Sequence, residues 1–171
     1  NNFDLLVTSL QSYDFDYQIA VITQDSGCLN GQIITPETEN AHDVFHSAAF
    51  GSAGSWTEAG LTIAENAMEN VGAGQCNDGF FRDAAGLGIV LISDEPEQSR
   101  NSWEYYLSSI QEKAPQVVFS AIAGPVPDGC STAYPGTGYW EVSDATRGAF
   151  MEICDHDWGE RLDELPATVV V

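Results

Sequence analysis

The segment from Leu87 to Glu97 constrains the fold of this chain more than any other. It opens with an almost unbroken apolar run, Leu87–Ile92, which is typical of a strand buried on both faces in a helix-covered parallel sheet. Ser93, Asp94 and Glu95 follow directly, at the carboxyl edge where open α/β folds bind their ligands. A hydroxyl and several carboxylates suit a hard divalent cation, although a solvated acidic loop is the alternative interpretation.

Helical and strand patterns alternate along the rest of the chain. Apolar spacing predicts helices over 3–12, 41–49, 57–69, 101–110, 141–146 and 158–165, and strands over 15–23, 31–35, 87–92, 117–122 and 149–153. The first two strands are expected to pair, and Ser99 or Asn101 is expected to cap the helix that runs through Ile110. The alternation predicts one α/β domain over residues 1–166, a doubly wound, mostly parallel sheet flanked by helices. Residues 167–171 are expected to form a trailing strand or a linker.

Acidic residues dominate the composition. The chain has 26 Asp and Glu against 5 Lys and Arg, a formal charge of −21. Nucleic acids and anionic membrane surfaces are disfavoured as partners, because binding to them needs clustered basic residues. No run approaches the ~20 apolar residues of a membrane span, so no membrane insertion is expected.

Four widely spaced cysteines, Cys28, Cys76, Cys130 and Cys154, match neither a CxxC redox pair nor a clustered zinc site. An even count favours two disulfides and a secreted or cell-surface location. Chain order makes Cys28–Cys76 and Cys130–Cys154 the simplest of three possible pairings. The chain begins in mid-pattern at Asn1, so we expect it to be a piece of a longer precursor.

Three loops are expected to gather at the carboxyl edge if the strands are parallel: Asp25–Ser26, Gly54–Ser55 and Ser93–Glu95. A hydroxyl from Ser55 and a carboxylate from Asp94, completed by water, form a donor set that Mg²⁺ prefers. For Ser55 alone, a plain helix N-cap is the alternative. The candidate metal ligands are therefore Ser55 and Asp94, with Asp25 and Glu95 as peripheral candidates.

These residues resemble a von Willebrand factor type A (vWA) domain. The resemblance is carried by Tyr17–Thr23, Gly54–Leu61, Ile89–Asp94 and the region 139–150, and so covers nearly the whole chain. It looks closest to secreted bacterial members with an Asp-Glu pair after the fourth strand. It implies a metal-ion-dependent adhesion site that binds Mg²⁺, Mn²⁺ or Ca²⁺ and leaves one coordination position for a partner's carboxylate. In this comparison Ser55 matches the second-loop hydroxyl, and Asp94 matches the third-loop aspartate.

The family's first motif, DxSxS after the central strand, is absent from this sequence. The chain therefore lacks one aspartate and two serines of the family's ligand set, together with the middle strand of the sheet. Unpaired buried backbone groups cost about 1–3 kcal/mol each, so we expect the strand upstream in the precursor or another segment in its place. Thr168–Val171 is β-prone and is one such segment. Glu95 and Glu97 match no family residue and are peripheral in this comparison.

Other candidate sites are weaker. His42 and His46 stand one helical turn apart, as zinc ligands do, but no HExxH glutamate or third ligand accompanies them. No GxSxG elbow of a serine hydrolase is present. Arg82 is expected to pair with a carboxylate such as Asp83 or Glu58.

The sequence thus predicts a non-enzymatic extracellular binding or adhesion module. Its partner would offer a carboxylate to a Mg²⁺ or Ca²⁺ ion held by Ser55 and Asp94, and other domains of its own precursor would be further partners. One alternative is a structural or assembly domain of a larger surface protein or fibre, with a degenerate metal site. Another is a metal-dependent hydrolase with a metal-activated water.

Overall fold

The computed structural model describes residues 5, 8–9, 11–12, 16–51, 54, 57–82, 84–155, 158–162 and 164–165. Residues 5, 8–9, 11–12 and 164–165 are helical. The helices with described bounds are α1 (Ala41–Phe50), α2 (Gly60–Glu69), α3 (Trp103–Gln111) and α4 (Tyr139–Thr146), followed by a 3₁₀ helix, Trp158–Arg161. The strands are β1 (Gly88–Ile92), β2 (Val118–Ala123) and β3 (Phe150–Glu152). The expected trailing segment 167–171 lies outside the described residues.

The strands form a parallel sheet in the order β1-β2-β3. Along β1 and β2 the register runs from Gly88 opposite Val118 to Ile92 opposite Ile122. Every residue of β2 is buried, as its continuous apolar run predicts. The α/β fold class is confirmed.

Helices α2, α3 and α4 cover one face of this sheet. Alternate residues of β2 reach into that layer, and they pack with Tyr139 and Val142 of α4 in the main hydrophobic core. The intervening residue Ile122 faces the opposite side, where it joins Met151 and Leu162 in a smaller cluster. The C-terminal 3₁₀ segment therefore covers part of the second face.

Residues 16–51 form a separate layer with their own small core, built on Ile34, Ala41 and Phe45. Ile19 and Ile34 exchange both backbone hydrogen bonds, at 2.8 and 2.9 Å, in an isolated antiparallel bridge. The expected pairing of the first two strands is confirmed at this bridge, but it does not extend into two regular strands. The next N–H along the chain, that of Thr35, faces away from this pair and donates to the Thr38 hydroxyl at 2.9 Å.

Both disulfides join the cysteines that chain order pairs, Cys28 with Cys76 and Cys130 with Cys154. Beside the first, Asn77 anchors the turn by donating from Nδ2 to the Gly27 carbonyl at 2.8 Å. Disulfides of this kind persist in oxidising compartments. None of the helices in the described ranges has the length and apolarity that crossing a membrane requires.

Arg82 is held by Asp16 rather than by the expected Glu58, and Asp83 lies outside the described residues. Its Nη1 atom is 2.6 Å from Asp16 Oδ2, and Nη2 donates to the Asp16 carbonyl at 2.9 Å. We expected a carboxylate that is close to Arg82 in sequence or in a neighbouring loop. The actual partner comes from the layer that folds back against the segment before β1.

Candidate functional site

Ser93 closes strand β1 and fixes the loop that follows it. Its N–H donates to the Ile122 carbonyl at 3.1 Å, which extends the ladder by one residue. Its hydroxyl donates to Glu58 Oε2 at 2.7 Å and accepts the Glu95 N–H at 3.1 Å. Ser93 is buried, so its hydroxyl serves the loop and not a ligand.

Glu97 was expected to be peripheral, and the structure gives it a central role in this loop. Its Oε2 accepts the Leu61 N–H at 2.9 Å, and its Oε1 accepts the Ser99 N–H at 2.6 Å. The Ser99 hydroxyl accepts the next helical N–H, that of Thr62, at 3.0 Å. A carboxylate at a helix N-terminus satisfies free N–H groups and opposes the positive end of the helix dipole.

Ser99 therefore caps α2 and not the helix that follows it in sequence. Helix α3 begins at Trp103, after Ser102, and the Ser102 side chain makes no capping hydrogen bond to the helix backbone. Sequence reasoning missed the roles of Glu97 and Ser99, because the helix they cap lies more than thirty residues earlier in the chain. The only local signal was the density of polar residues after a buried strand.

Tyr139 joins α4 to the loop after β1 and the start of α2, and we call this hydrogen-bonded group of segments the frame. Its hydroxyl donates to the Glu58 carbonyl at 2.8 Å and accepts the Gly60 N–H at 3.3 Å. Burial, followed by the charge of Glu97, raises the pKa of Tyr139 above the ordinary tyrosine value. The phenol therefore acts as a neutral hydrogen-bond donor. Gly60 allows this approach, since a Cβ there would lie 3.0 Å from the tyrosine ring.

The loop 124–138 packs against the Asp94 loop from the other side. The Tyr134 N–H donates to the Asp94 carbonyl at 2.8 Å, and the Gly136 N–H donates to the Gly124 carbonyl at 2.9 Å. A Cβ on Gly124 would lie 1.9 Å from the Tyr134 carbonyl oxygen, so only glycine fits there. The disulfide between Cys130 and Cys154 ties this loop to the segment after β3.

This frame presents Asp94, Glu95 and Tyr134 at the carboxyl edge, and we call these three residues the carboxyl-edge patch. Asp94 is exposed, and its carboxylate has no hydrogen-bond partner within the part of the chain that the structure describes. Glu95 Oε2 accepts a hydrogen bond from Gln98 Nε2 at 2.6 Å. The Tyr134 side chain is 68% exposed on a backbone that is itself held in place.

The other predicted site residues lie elsewhere or outside the description. Ser55 is not among the described residues. The Asp25 carbonyl is bound by Asn66 Nδ2 at 2.7 Å, about 9 Å along α2 from its first residue. The structure thus fixes Asp25 against the later part of α2, whereas Glu97 binds the first turn.

The histidine pair has ordinary contacts. His42 Nδ1 lies 3.3 Å from Asp43 Oδ1, and the ring of His46 packs against Phe50 with their centroids 4.9 Å apart. No group of three or more His, Cys, Asp or Glu able to hold a metal ion occurs among the described residues. The weak zinc candidate that the histidine spacing suggests gains no third ligand from the described residues.

The described residues around Asp94 offer few free donors for a cation. Ca²⁺ takes about six to eight oxygen ligands, and Mg²⁺ takes about six, of which several are usually waters and one or two are carboxylates. Glu58 and Glu97 are already used by hydrogen bonds that hold the loop, and Glu95 is bonded to Gln98. Asp94 alone is free for coordination in the described part of the edge, so a cation here would need donors from other residues.

Comparison with known proteins adds no identification: no family model matches the chain, nor does any curated protein or solved structure. The resemblance to vWA domains stays a prediction from the sequence motifs.

Proposed function

We propose that this chain is an extracellular binding module that contacts a partner protein through the carboxyl-edge patch. One combination of features supports this most. The Asp94 carboxylate has no hydrogen-bond partner among the described residues, the Tyr134 side chain is strongly exposed, and the Tyr134 N–H donates to the Asp94 carbonyl, which holds the two residues together. Aromatic side chains on rigid supports provide much of the binding energy at protein interfaces. The two disulfides support an extracytoplasmic location.

The rigidity of the patch favours recognition over chemistry. Ser93, Glu97 and Tyr139 use their polar atoms to hold the loops together, so they are not free to act on a substrate. A preorganised surface loses less conformational entropy when a partner binds. The frame therefore has the properties expected of a contact surface.

The charge of the partner depends on whether a cation takes part. Without a cation, the Asp94 carboxylate accepts hydrogen bonds from a lysine or arginine of the partner, in keeping with the charge of −21 on the chain. With a cation, further donors are needed, Ser55 among them, and the partner would supply a carboxylate as the sequence predicts. Removal of divalent ions would abolish binding in the mode that uses a cation and leave binding intact in the mode that does not.

The test is retention of extracellular and cell-surface proteins on immobilised chain. Asp94→Asn and Tyr134→Ser are compared with the matched controls Asp144→Asn and Tyr105→Ser, whose side chains are exposed on helices α4 and α3 and do not belong to the patch. We expect the patch variants to bind the partner about thirtyfold more weakly or worse, since loss of a central contact costs about 2 kcal/mol or more. Equal retention by all four variants would place the contact surface elsewhere. Repeating the wild-type binding in EDTA separates the two modes.

A further inference from the structure

A groove in the layer formed by residues 16–51 lies between helix α1 and the turn at residues 30–32, and we call it the α1 groove. Its volume is about 520 Å³. Small-molecule sites usually have volumes of about 300–1000 Å³, so the groove has the size of a ligand site. The helix side is lined by Asp43, Val44, Ser47 and Ala48, which share one face of α1 because they lie three and four residues apart.

Asn30, on the opposite wall, presents a fixed hydrogen-bond acceptor to the groove. The residue is only 9% exposed, and its Nδ2 donates to Thr23 Oγ1 at 2.7 Å and to the Ala48 carbonyl at 2.9 Å. Because the Ala48 carbonyl can only accept, these bonds fix which side of the amide carries the oxygen. That oxygen, Oδ1, accepts no hydrogen bond within the described ranges and is not enclosed by them, so it opens onto the groove that Asn30 lines.

Asp43 supplies a second acceptor and the charge of the groove. Its Oδ1 lies 3.3 Å from His42 Nδ1, and its Oδ2 has no partner in the part of the chain that the structure describes. The described lining residues include no lysine or arginine, and the whole chain carries a charge of −21. An anion would be repelled from such a site, whereas a cation would be attracted to it.

The two acceptors lie at different positions along the helix. Ala48, whose carbonyl binds the Asn30 amide, comes five residues after Asp43, which is about 7.5 Å along the axis of α1. The half-buried side chain of Val44 lines the groove between these positions and provides an aliphatic surface. The α1 groove therefore has oxygen acceptors at two places with an apolar wall between them.

We propose that the α1 groove binds a linear aliphatic diamine, with one ammonium group at Asn30 Oδ1 and the other at the Asp43 carboxylate. An extended chain advances about 1.2 Å per bond, so the nitrogens of a diamine with about five carbons lie about 7 Å apart, close to the spacing of the two acceptors. The methylene chain would lie on Val44 and Ala48, and both ends would donate hydrogen bonds, of which the one to Asp43 is charge-assisted on both sides. This inference does not depend on the carboxyl-edge patch.

Two exposed polar side chains complete the donor and acceptor set. Gln32 and Ser47 both line the groove, and neither side chain makes a hydrogen bond within the described residues. The amide oxygen of Gln32 and the hydroxyl of Ser47 can each accept one of the remaining ammonium hydrogens, because an ammonium group has three donors on an amine. The groove thus offers more acceptors than the two that set its spacing.

The test is an NMR titration of the full 171-residue chain with diaminopentane, followed at the side-chain amide signals of Asn30 and Gln32. Diaminoethane keeps the charge on a shorter chain, and pentanediol keeps the length without the charge. We expect diaminopentane to shift both signals to saturation with a dissociation constant of about 1 mM, as is usual for so small a ligand, and each comparison compound to bind about fivefold more weakly or worse. Absence of a shift, equal binding of diaminoethane, or equal binding of pentanediol would each overturn the proposal.

Two pairs of variants locate the binding, and all four positions are exposed on helices. Asp43→Asn removes the charge at one end of the groove, and Asp144→Asn removes an equal charge on α4. We expect the affinity for diaminopentane to fall about fivefold in the first and to stay unchanged in the second. Ser47→Lys places an ammonium group of the chain itself in the groove and is expected to weaken binding about tenfold more than Ser108→Lys, which adds the same charge on α3. Equal affinity within either pair would overturn the proposal.

Discussion

Replacing Glu97 with alanine removes the side chain that joins the loop after β1 to the start of α2. Its carboxylate accepts the N–H groups of Leu61 and Ser99 at 2.9 and 2.6 Å. Each hydrogen bond to a charged acceptor contributes about 1.5–3 kcal/mol when buried, and a carboxylate at a helix N-terminus adds about 0.3–1 kcal/mol. Because Glu97 is only half-buried, water can replace part of the hydrogen bonding that the carboxylate provides. We therefore expect the free energy of unfolding to fall by about 2–4 kcal/mol in Glu97→Ala.

The measurement is urea unfolding at neutral pH with both disulfides intact. Glu97→Gln keeps an oxygen acceptor but loses the charge, so we expect it to lose about half as much stability as Glu97→Ala. Glu112→Ala is the control, because Glu112 is an exposed glutamate at the opposite end of a helix and its removal is expected to change stability by less than about 0.5 kcal/mol.

Amide hydrogen exchange at single residues shows whether the stability is lost at the N-terminus of α2. In Glu97→Ala the Leu61 amide is expected to exchange faster by a larger factor than amides in the middle of α2. A loss of stability below about 0.5 kcal/mol in Glu97→Ala, or an equal loss in Glu97→Gln, would refute the capping argument.

Three further predictions concern the rest of the frame. Replacing Cys130 and Cys154 together by serine is expected to lower the free energy of unfolding by about 2–4 kcal/mol, and an unchanged melting temperature would contradict this. The pKa of Tyr139 is raised in the folded state, so the stabilisation that its neutral hydroxyl provides is fully present below about pH 10 and is lost as the pH rises further. Tyr139→Phe should therefore lose less of its free energy of unfolding at alkaline pH than the wild type does, as measured by urea titration. Gly148→Ala is expected to prevent native folding, as seen by circular dichroism, because the new Cβ would lie 1.7 Å from the Phe119 carbonyl oxygen.

The parts of the fold that depend on local pattern were predictable. The apolar runs at 87–92 and 117–122 identified the two main strands, and helix periodicity located α1 to α4 to within a few residues. The simplest disulfide pairing also proved correct. These features follow from which side chains avoid water, and that information is carried by neighbouring residues.

The hydrogen bonds of the site were not predictable in the same way. The Tyr139 hydroxyl bonds to the Glu58 carbonyl across 81 residues, and Arg82 reaches Asp16 across 66. A carboxylate or a phenol finds its partner only after packing has brought distant loops together. Local sequence shows that such a group is present, but not which backbone N–H or C=O it will meet.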